Sequence, residues 1–98
     1  MDKEHIKTVL RDKAGELQPL GIVHLHLHGS QVSGSARPDS DIDLAANFDR
    51  AKVRSALDEI ALRNRMAEIL GADVDLCDAE RLEPEVQGNF RREAELVF

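Results

Sequence analysis

The sequence has 98 residues, which predicts a single compact domain spanning residues 1–98. Its formal charge of −6 argues against direct binding to nucleic acid or to an anionic membrane surface, because both depend on Lys and Arg. The apolar stretches are too short for a signal peptide or a membrane span. Cys77 is the only cysteine, so no intramolecular disulfide can form and a reducing, cytoplasmic location is expected.

The first part of the chain predicts a helix followed by a strand. Apolar residues recur at helical spacing from Asp2 to Gln18, and Pro19 and Gly21 then end the helix. Alternation over Ile22–His28 predicts a strand, with the leucines and Val23 on one face and the histidines on the other. This segment leads directly into the most distinctive part of the sequence.

The middle of the chain predicts a loop, a second strand and a long helix. Residues 29–40 are rich in Gly and Ser and predict a short helix followed by an irregular loop. A strand is predicted over Asp41–Ala46, and Asp49 is a candidate N-cap for a helix that ends near Leu70, where Gly71 is a natural stop. The apolar residues assigned to this helix are Val53, Ala56, Leu57, Ile60, Ala61, Ile69 and Leu70.

The last part of the chain predicts a third strand over Asp73–Cys77 and a final helix that opens at Glu83. Leu96–Phe98 forms an apolar end that we assign to the core. The residues assigned to the buried stripe of the final helix are Val86, Phe90 and Ala94. Helices alternating with three strands predict an α/β fold of the α+β kind, in which a small mixed β-sheet is packed with helices.

Carboxylates in the predicted strands indicate a metal site. Asp41 and Asp43 lie two residues apart, so on a strand they share one face. A third carboxylate can come from the third strand, where Asp73, Asp75 and Asp78 are the candidates. Oxygen ligands in such a cluster suit Mg²⁺.

A Gly-Ser pair, Gly29-Ser30, lies ahead of the acidic strand. A turn of this kind that opens a helix offers free backbone N–H groups to an anion. Nucleotidyl transfer requires groups that bind the phosphates and groups that bind metal ions, and a phosphate-binding turn beside a metal-binding strand would provide both. The same pair is also consistent with a simple helix start, because Gly and Ser favour caps and turns.

These motifs resemble those of the minimal nucleotidyltransferases of the DNA-polymerase-β-type superfamily. The resemblance depends on Gly29-Ser30, on Asp41-Ile42-Asp43 within the stretch 36–44, and on Val74-Asp75-Leu76 after a long helix. More narrowly, the chain resembles the antitoxins of HEPN/MNT toxin–antitoxin pairs, from its first predicted helix to its last.

The resemblance implies a polymerase-β-like fold and the transfer of AMP from ATP to a hydroxyl group, typically of tyrosine, on a cognate HEPN-type RNase toxin. It implies that Asp41, Asp43 and Asp75 ligate two Mg²⁺ ions, and that Asp75 helps to activate the acceptor oxygen. Gly29 would allow close approach of the triphosphate, and Ser30 would hydrogen-bond its phosphates. The expected partners are the toxin and ATP, with both homo- and hetero-oligomers left open.

Two alternatives depend on other residues. The family often has Arg at the positions of Gln31 and Ser33, and Phe or Tyr at the position of His28. Since Arg would pair with phosphate charge, the alternative function is a catalytically weak binding module that inhibits the toxin by complex formation. A shared face for His24, His26 and His28 also allows a zinc site, although an obvious fourth ligand is missing.

Overall fold

The fold is given by a computed structural model that describes residues 2–29, 41–82, 87–88 and 92–98. In chain order, the helices and strands are α1 (Lys3–Asp12), α2 (Ala14–Leu17), β1 (Ile22–His28), β2 (Ile42–Phe48), α3 (Ala56–Leu70), β3 (Val74–Asp78) and β4 (Glu95–Leu96). The short helix predicted after Gly29 lies outside the described residues, and so do Glu83, Val86 and Phe90 of the final predicted helix.

The predicted N-terminal helix is divided into α1 and α2 at Lys13. Asp2 is the N-cap of α1, where its side chain accepts a hydrogen bond of 2.8 Å from the backbone N–H of His5. Lys13 departs from helical geometry, and its backbone N–H donates a hydrogen bond of 3.1 Å to the carbonyl of Leu10. The residues that face the core from these helices are Ile6, Leu10 and Leu17. The prediction of one continuous helix is therefore wrong, although apolar residues at helical spacing do face the core from both parts of it.

Four strands form one sheet in the order β3-β2-β1-β4. β1 is antiparallel to both β2 and β4, whereas β2 and β3 are parallel and are joined through α3. This confirms the predicted small mixed sheet packed with helices. The sequence predicts only three strands, and β4 is the addition, because Glu95 and Leu96 pair with Leu27 and His26 of β1.

A β-bulge at Val23 changes which residues of β1 face the core. One residue of β1 is left without a partner between the pairs formed by Ile22 and His24. Val23 is therefore 45% exposed, while Ile22 is fully buried. The prediction that Val23 shares the buried face of the leucines is wrong, since strict alternation assumes an uninterrupted ladder.

The long helix α3 starts later than the sequence predicts. The side chain of Ser55 accepts a hydrogen bond from the N–H of Asp58 at 3.3 Å, and the N–H of Ser55 is donated to the Asp58 carboxylate at 3.2 Å. This reciprocal capping box defines the start of the helix. The prediction of Asp49 as the N-cap is wrong, because the Asp49 carboxylate accepts the N–H of Ala51 in the turn after β2.

The core-facing stripe of α3 also differs from the predicted one. Leu62, Met66 and Leu70, spaced four residues apart, are its buried residues. The predicted stripe included Leu57 and Ile60, which are 76% and 41% exposed. Leu57 lies roughly 140° around the helix from Leu62, so both cannot face one core. No helix within the described ranges is both long and apolar enough to cross a membrane.

The core occupies one face of the sheet, where the strand leucines form a cluster with buried residues of α1 and α3. Alternation along the strands places the intervening side chains on the opposite face. We call this opposite side the polar face; its polar residues include His26, His28, Asp43, Asn47, Asp75 and Cys77, and Ala45 lies among them. The candidate site lies on the polar face.

Candidate functional site

The strand register places one aspartate from each of two neighbouring strands side by side. Asp43 in β2 pairs with Asp75 in the parallel strand β3 and with His28 in the antiparallel strand β1. Neighbouring strands are about 4.8 Å apart, and paired residues share a face. Asp43 is therefore the centre of a row across the polar face, with a carboxylate on one side and an imidazole on the other.

Asp41 lies just before β2 and is exposed, and Asp73 is exposed just before β3. The N–H of Ile42 donates a hydrogen bond of 2.9 Å to the carbonyl of Asp73, which joins the starts of the two strands. Within the described residues, no group of three or more His, Cys, Asp or Glu is arranged to hold a metal ion. The structure thus pairs Asp43 with Asp75, while the inclusion of Asp41 as a joint ligand stays a prediction.

Asp78, another acidic candidate of the third strand, lies away from this row. It pairs with Ala46 near the far end of the parallel ladder. Its carboxylate accepts a hydrogen bond from the guanidinium of Arg50, and Arg81 Nε lies 3.6 Å from the same oxygen. Because these arginines compensate the charge of Asp78, Asp75 is the β3 carboxylate placed to act with Asp43.

Gly29 lies at the end of β1 and turns the chain with a φ of +74°. A Cβ atom at Gly29 would lie only 2.9 Å from Cγ of Asp43. The family resemblance implies that Gly29 lets the triphosphate approach, and the structure adds close contact with the Asp43 side chain. Ser30, Gln31 and Ser33 lie outside the described residues, so phosphate binding by Ser30 stays a prediction.

Cys77 and His28 lie beside the two aspartates and are both half-buried. Cys77 Sγ is 3.8 Å from His28 Nε2. Burial raises the pKa of the Cys77 thiol to about 11, with Asp75 and Asp43 adding to the effect. Burial lowers the pKa of His28, although Asp43 and Asp75 oppose this shift. Both side chains are therefore neutral near pH 7, and the charge of this part of the polar face comes from the aspartates.

A separate hydrogen-bonded chain lies on the polar face next to this row. His26 Nε2 is 3.0 Å from Oδ1 of Asn47, and Nδ2 of Asn47 donates to Glu80 at 3.5 Å. His26 thus contacts Asn47 and His28 contacts Cys77, and the described part of the chain contains no metal-holding group that includes either histidine. Sequence reasoning missed Asn47, although its even spacing from Asp43 along β2 is a signal that both side chains share a face.

The chemistry of the two paired aspartates fits a hard divalent cation. Carboxylate oxygens are the ligands that Mg²⁺ prefers, and Mg²⁺ is commonly held by one or two carboxylates together with substrate phosphates. Asp43 is half-buried and Asp75 is exposed, so at least one carboxylate of the pair is accessible to solvent.

Comparison with known proteins gives concordant results. Residues 4–98 match the family described as Polymerase beta, Nucleotidyltransferase. A Thermococcus cleftensis relative named Protein adenylyltransferase MntA is 30% identical over 95 residues, which cover 96% of this chain and 94% of the relative. A solved structure described as a minimal nucleotidyltransferase has a TM-score of 0.76 and 31% identity, with 97% of this chain and 95% of that chain covered.

A more distant likeness concerns the fold alone. The matching chain comes from a complex of a tri-AMPylated Shewanella oneidensis HEPN toxin with an MNT antitoxin. Its TM-score is 0.66 at 19% identity, and the match covers 94% of this chain and 71% of that chain.

Proposed function

Because the chain belongs to the polymerase β nucleotidyltransferase family, we propose that it transfers AMP from ATP to a hydroxyl group of a HEPN-type toxin and thereby acts as the antitoxin. Tyrosine is the proposed acceptor. The relative named adenylyltransferase MntA supports AMP as the transferred group. The similar chain from the complex of an AMPylated HEPN toxin with an MNT antitoxin supports the toxin as the substrate.

The observation that carries this proposal is the alignment of Asp43 with Asp75 across β2 and β3. Nucleotidyl transfer requires neutralisation of triphosphate charge and alignment of the reacting oxygens. Two Mg²⁺ ions held by Asp41, Asp43 and Asp75 would supply this charge and alignment. Asp75 would also assist the loss of the proton from the acceptor hydroxyl.

Other residues of the polar face would bind and orient the reactants. Ser30 would hydrogen-bond the phosphates of ATP, and Gly29 would leave room for them at the end of β1. His28 is neutral near pH 7 because burial lowers its pKa, so it adds no positive charge that would compete with a cation for the aspartates. Since α1 and α3 pack on the opposite face of the sheet, neither of these two helices would block an acceptor side chain from Asp43 and Asp75.

The proposal is tested by incubating the purified chain with ATP, Mg²⁺ and a HEPN-type toxin, followed by intact mass measurement of the toxin. Wild type is expected to add AMP to the toxin. Asp43→Asn removes one negative charge while keeping the size of the side chain, so transfer should fall by at least a hundredfold, in the range seen when charge stabilisation is removed. Circular dichroism would check that the variant is folded.

The matched control is Asp12→Asn, which removes an exposed carboxylate at the end of α1, on the far side of the sheet. This control should modify the toxin at the wild-type rate. An Asp43→Asn protein as active as the control would remove the proposed role of the aspartate pair. A wild-type protein that forms a stable complex with the toxin but leaves its mass unchanged would favour the inhibitory binding module instead.

A further inference from the structure

Asp43 lies so close to Gly29 that a side chain at position 29 would collide with it. A Cβ atom on Gly29 would lie 2.9 Å from Cγ and 3.1 Å from Cβ of Asp43, and one carboxylate oxygen would be closer still. Distances under 3.0 Å are essentially never observed for a Cβ atom. The Asp43 carboxylate therefore occupies the space that any side chain at position 29 would need.

The strand register explains why these two residues meet. His28 and Asp43 are the last pair of the antiparallel ladder between β1 and β2. Gly29 follows at once with a φ of +74°, a conformation that residues with a Cβ rarely adopt. The chain thus turns beside Asp43 immediately after its strand partner, and Asp75 lies on the other side of Asp43 in β3.

We propose that Gly29 is a positioning residue for Asp43: the missing side chain of Gly29 leaves the space in which the Asp43 carboxylate is held opposite Asp75. The importance of this position for catalysis rests on the proposed function, in which Asp43 binds Mg²⁺. The steric part of the proposal stands on the contact itself.

The chain contains a matched control that separates steric contact from backbone strain. Gly71 ends α3 with a φ of +65°, close to that of Gly29, but a Cβ atom there would meet nothing within 4 Å. Gly71→Ala therefore introduces the strain of a positive φ alone, whereas Gly29→Ala introduces this strain together with the collision with Asp43. The difference between the two variants measures the contact.

The first experiment is a thermal-unfolding cycle that needs neither metal nor nucleotide. Gly29→Ala should lower the Tm further than Gly71→Ala does. Asp43→Ala removes the carboxylate and Cγ and leaves only the 3.1 Å approach to Cβ, so in this background the extra loss caused by Gly29→Ala should become much smaller. If Gly29→Ala alone does not fold, recovery of folding in the double variant gives the same support. Equal losses in both backgrounds, or a double variant that stays unfolded, would overturn the steric proposal.

The second experiment measures Mn²⁺ binding to the full chain by electron paramagnetic resonance, without ATP or toxin. Gly29→Ala should weaken Mn²⁺ binding at least tenfold, towards the level of Asp43→Ala, while Gly71→Ala should bind as wild type. A Gly29→Ala protein with wild-type Mn²⁺ affinity would overturn positioning of a metal ligand. If Asp43→Ala itself binds Mn²⁺ as wild type does, the metal role in the proposed function fails, and the thermal cycle still decides whether Gly29 positions Asp43.

Discussion

At the scale of single residues, two leucines of α3 show how position around a helix determines the contribution to stability. Leu62 is 5% exposed and belongs to the core, whereas Leu57 is 76% exposed. Leu62→Ala should lower the free energy of unfolding by about 2–5 kcal/mol, because it deletes buried methyl groups and leaves a cavity. Leu57→Ala should change it by less than about 0.5 kcal/mol. Urea unfolding monitored by circular dichroism measures both values.

The two substitutions are chemically identical and lie on the same helix, so the main difference between them is burial. Equal losses for Leu57→Ala and Leu62→Ala would show that the core-facing stripe of α3 has been assigned wrongly.

At the scale of an element, the start of α3 depends on the capping box formed by Ser55 and Asp58. Ser55→Ala removes the acceptor for the N–H of Asp58 and should lower the free energy of unfolding by about 1 kcal/mol. For a domain of this size, this corresponds to a fall in Tm of about 4–8 °C. Differential scanning calorimetry measures the shift.

Ser55→Asn is the control, because Asn is as good an N-cap as Ser and should retain most of the stability. If the Ser55→Ala and Ser55→Asn proteins had the same Tm, the capping box would not define the start of α3.

At the scale of the whole molecule, ion pairs join the first helix to the last strand. Lys3 and Lys7 of α1 lie 2.8 Å and 3.0 Å from the carboxylate oxygens of Glu95 in β4. Nearby, Nε of Arg11 donates a hydrogen bond of 2.7 Å to the carbonyl of Val97, which is buried. The C-terminal segment is thus held against α1 by these side-chain contacts and against β1 by the strand pairing of β4.

These contacts predict a pH-dependent stability. Hydrogen bonds from Lys3 and then Lys7 lower the pKa of Glu95 below its ordinary value of 4.5. A carboxylate with a lowered folded-state pKa stabilises the fold above its ordinary pKa, and this contribution is lost as the pH falls through the lowered value. Glu95→Gln should therefore have a lower Tm than wild type at pH 7, and the difference should shrink once the pH falls below about 4.5.

Glu4→Gln is the control for this experiment. Glu4 is largely exposed and lies 3.9 Å from Lys7, so its loss should change the Tm little at any pH. A Tm difference between wild type and Glu95→Gln that stays constant from pH 7 to pH 3 would contradict the ionic origin of the stabilisation.

Local sequence patterns predicted the main elements of this protein, and its motifs carried the resemblance to a family. Alternation marked β1 over Ile22–His28, and Gly71 marked the end of α3, because each signal depends only on neighbours along the chain. The same holds for the Gly29-Ser30 and Asp41-Ile42-Asp43 motifs, which indicated a nucleotidyltransferase, and the family comparison confirmed it.

The tertiary structure alone decided how these elements fit together. The bulge at Val23, the addition of β4 and the core-facing stripe of α3 result from pairing and packing between segments far apart in the sequence. The row of His28, Asp43 and Asp75, with Gly29 packed against its central carboxylate, depends on the register of three strands. A shift of one residue in any strand would reverse the faces of its side chains, and the free energy that prevents this shift comes from the shared core.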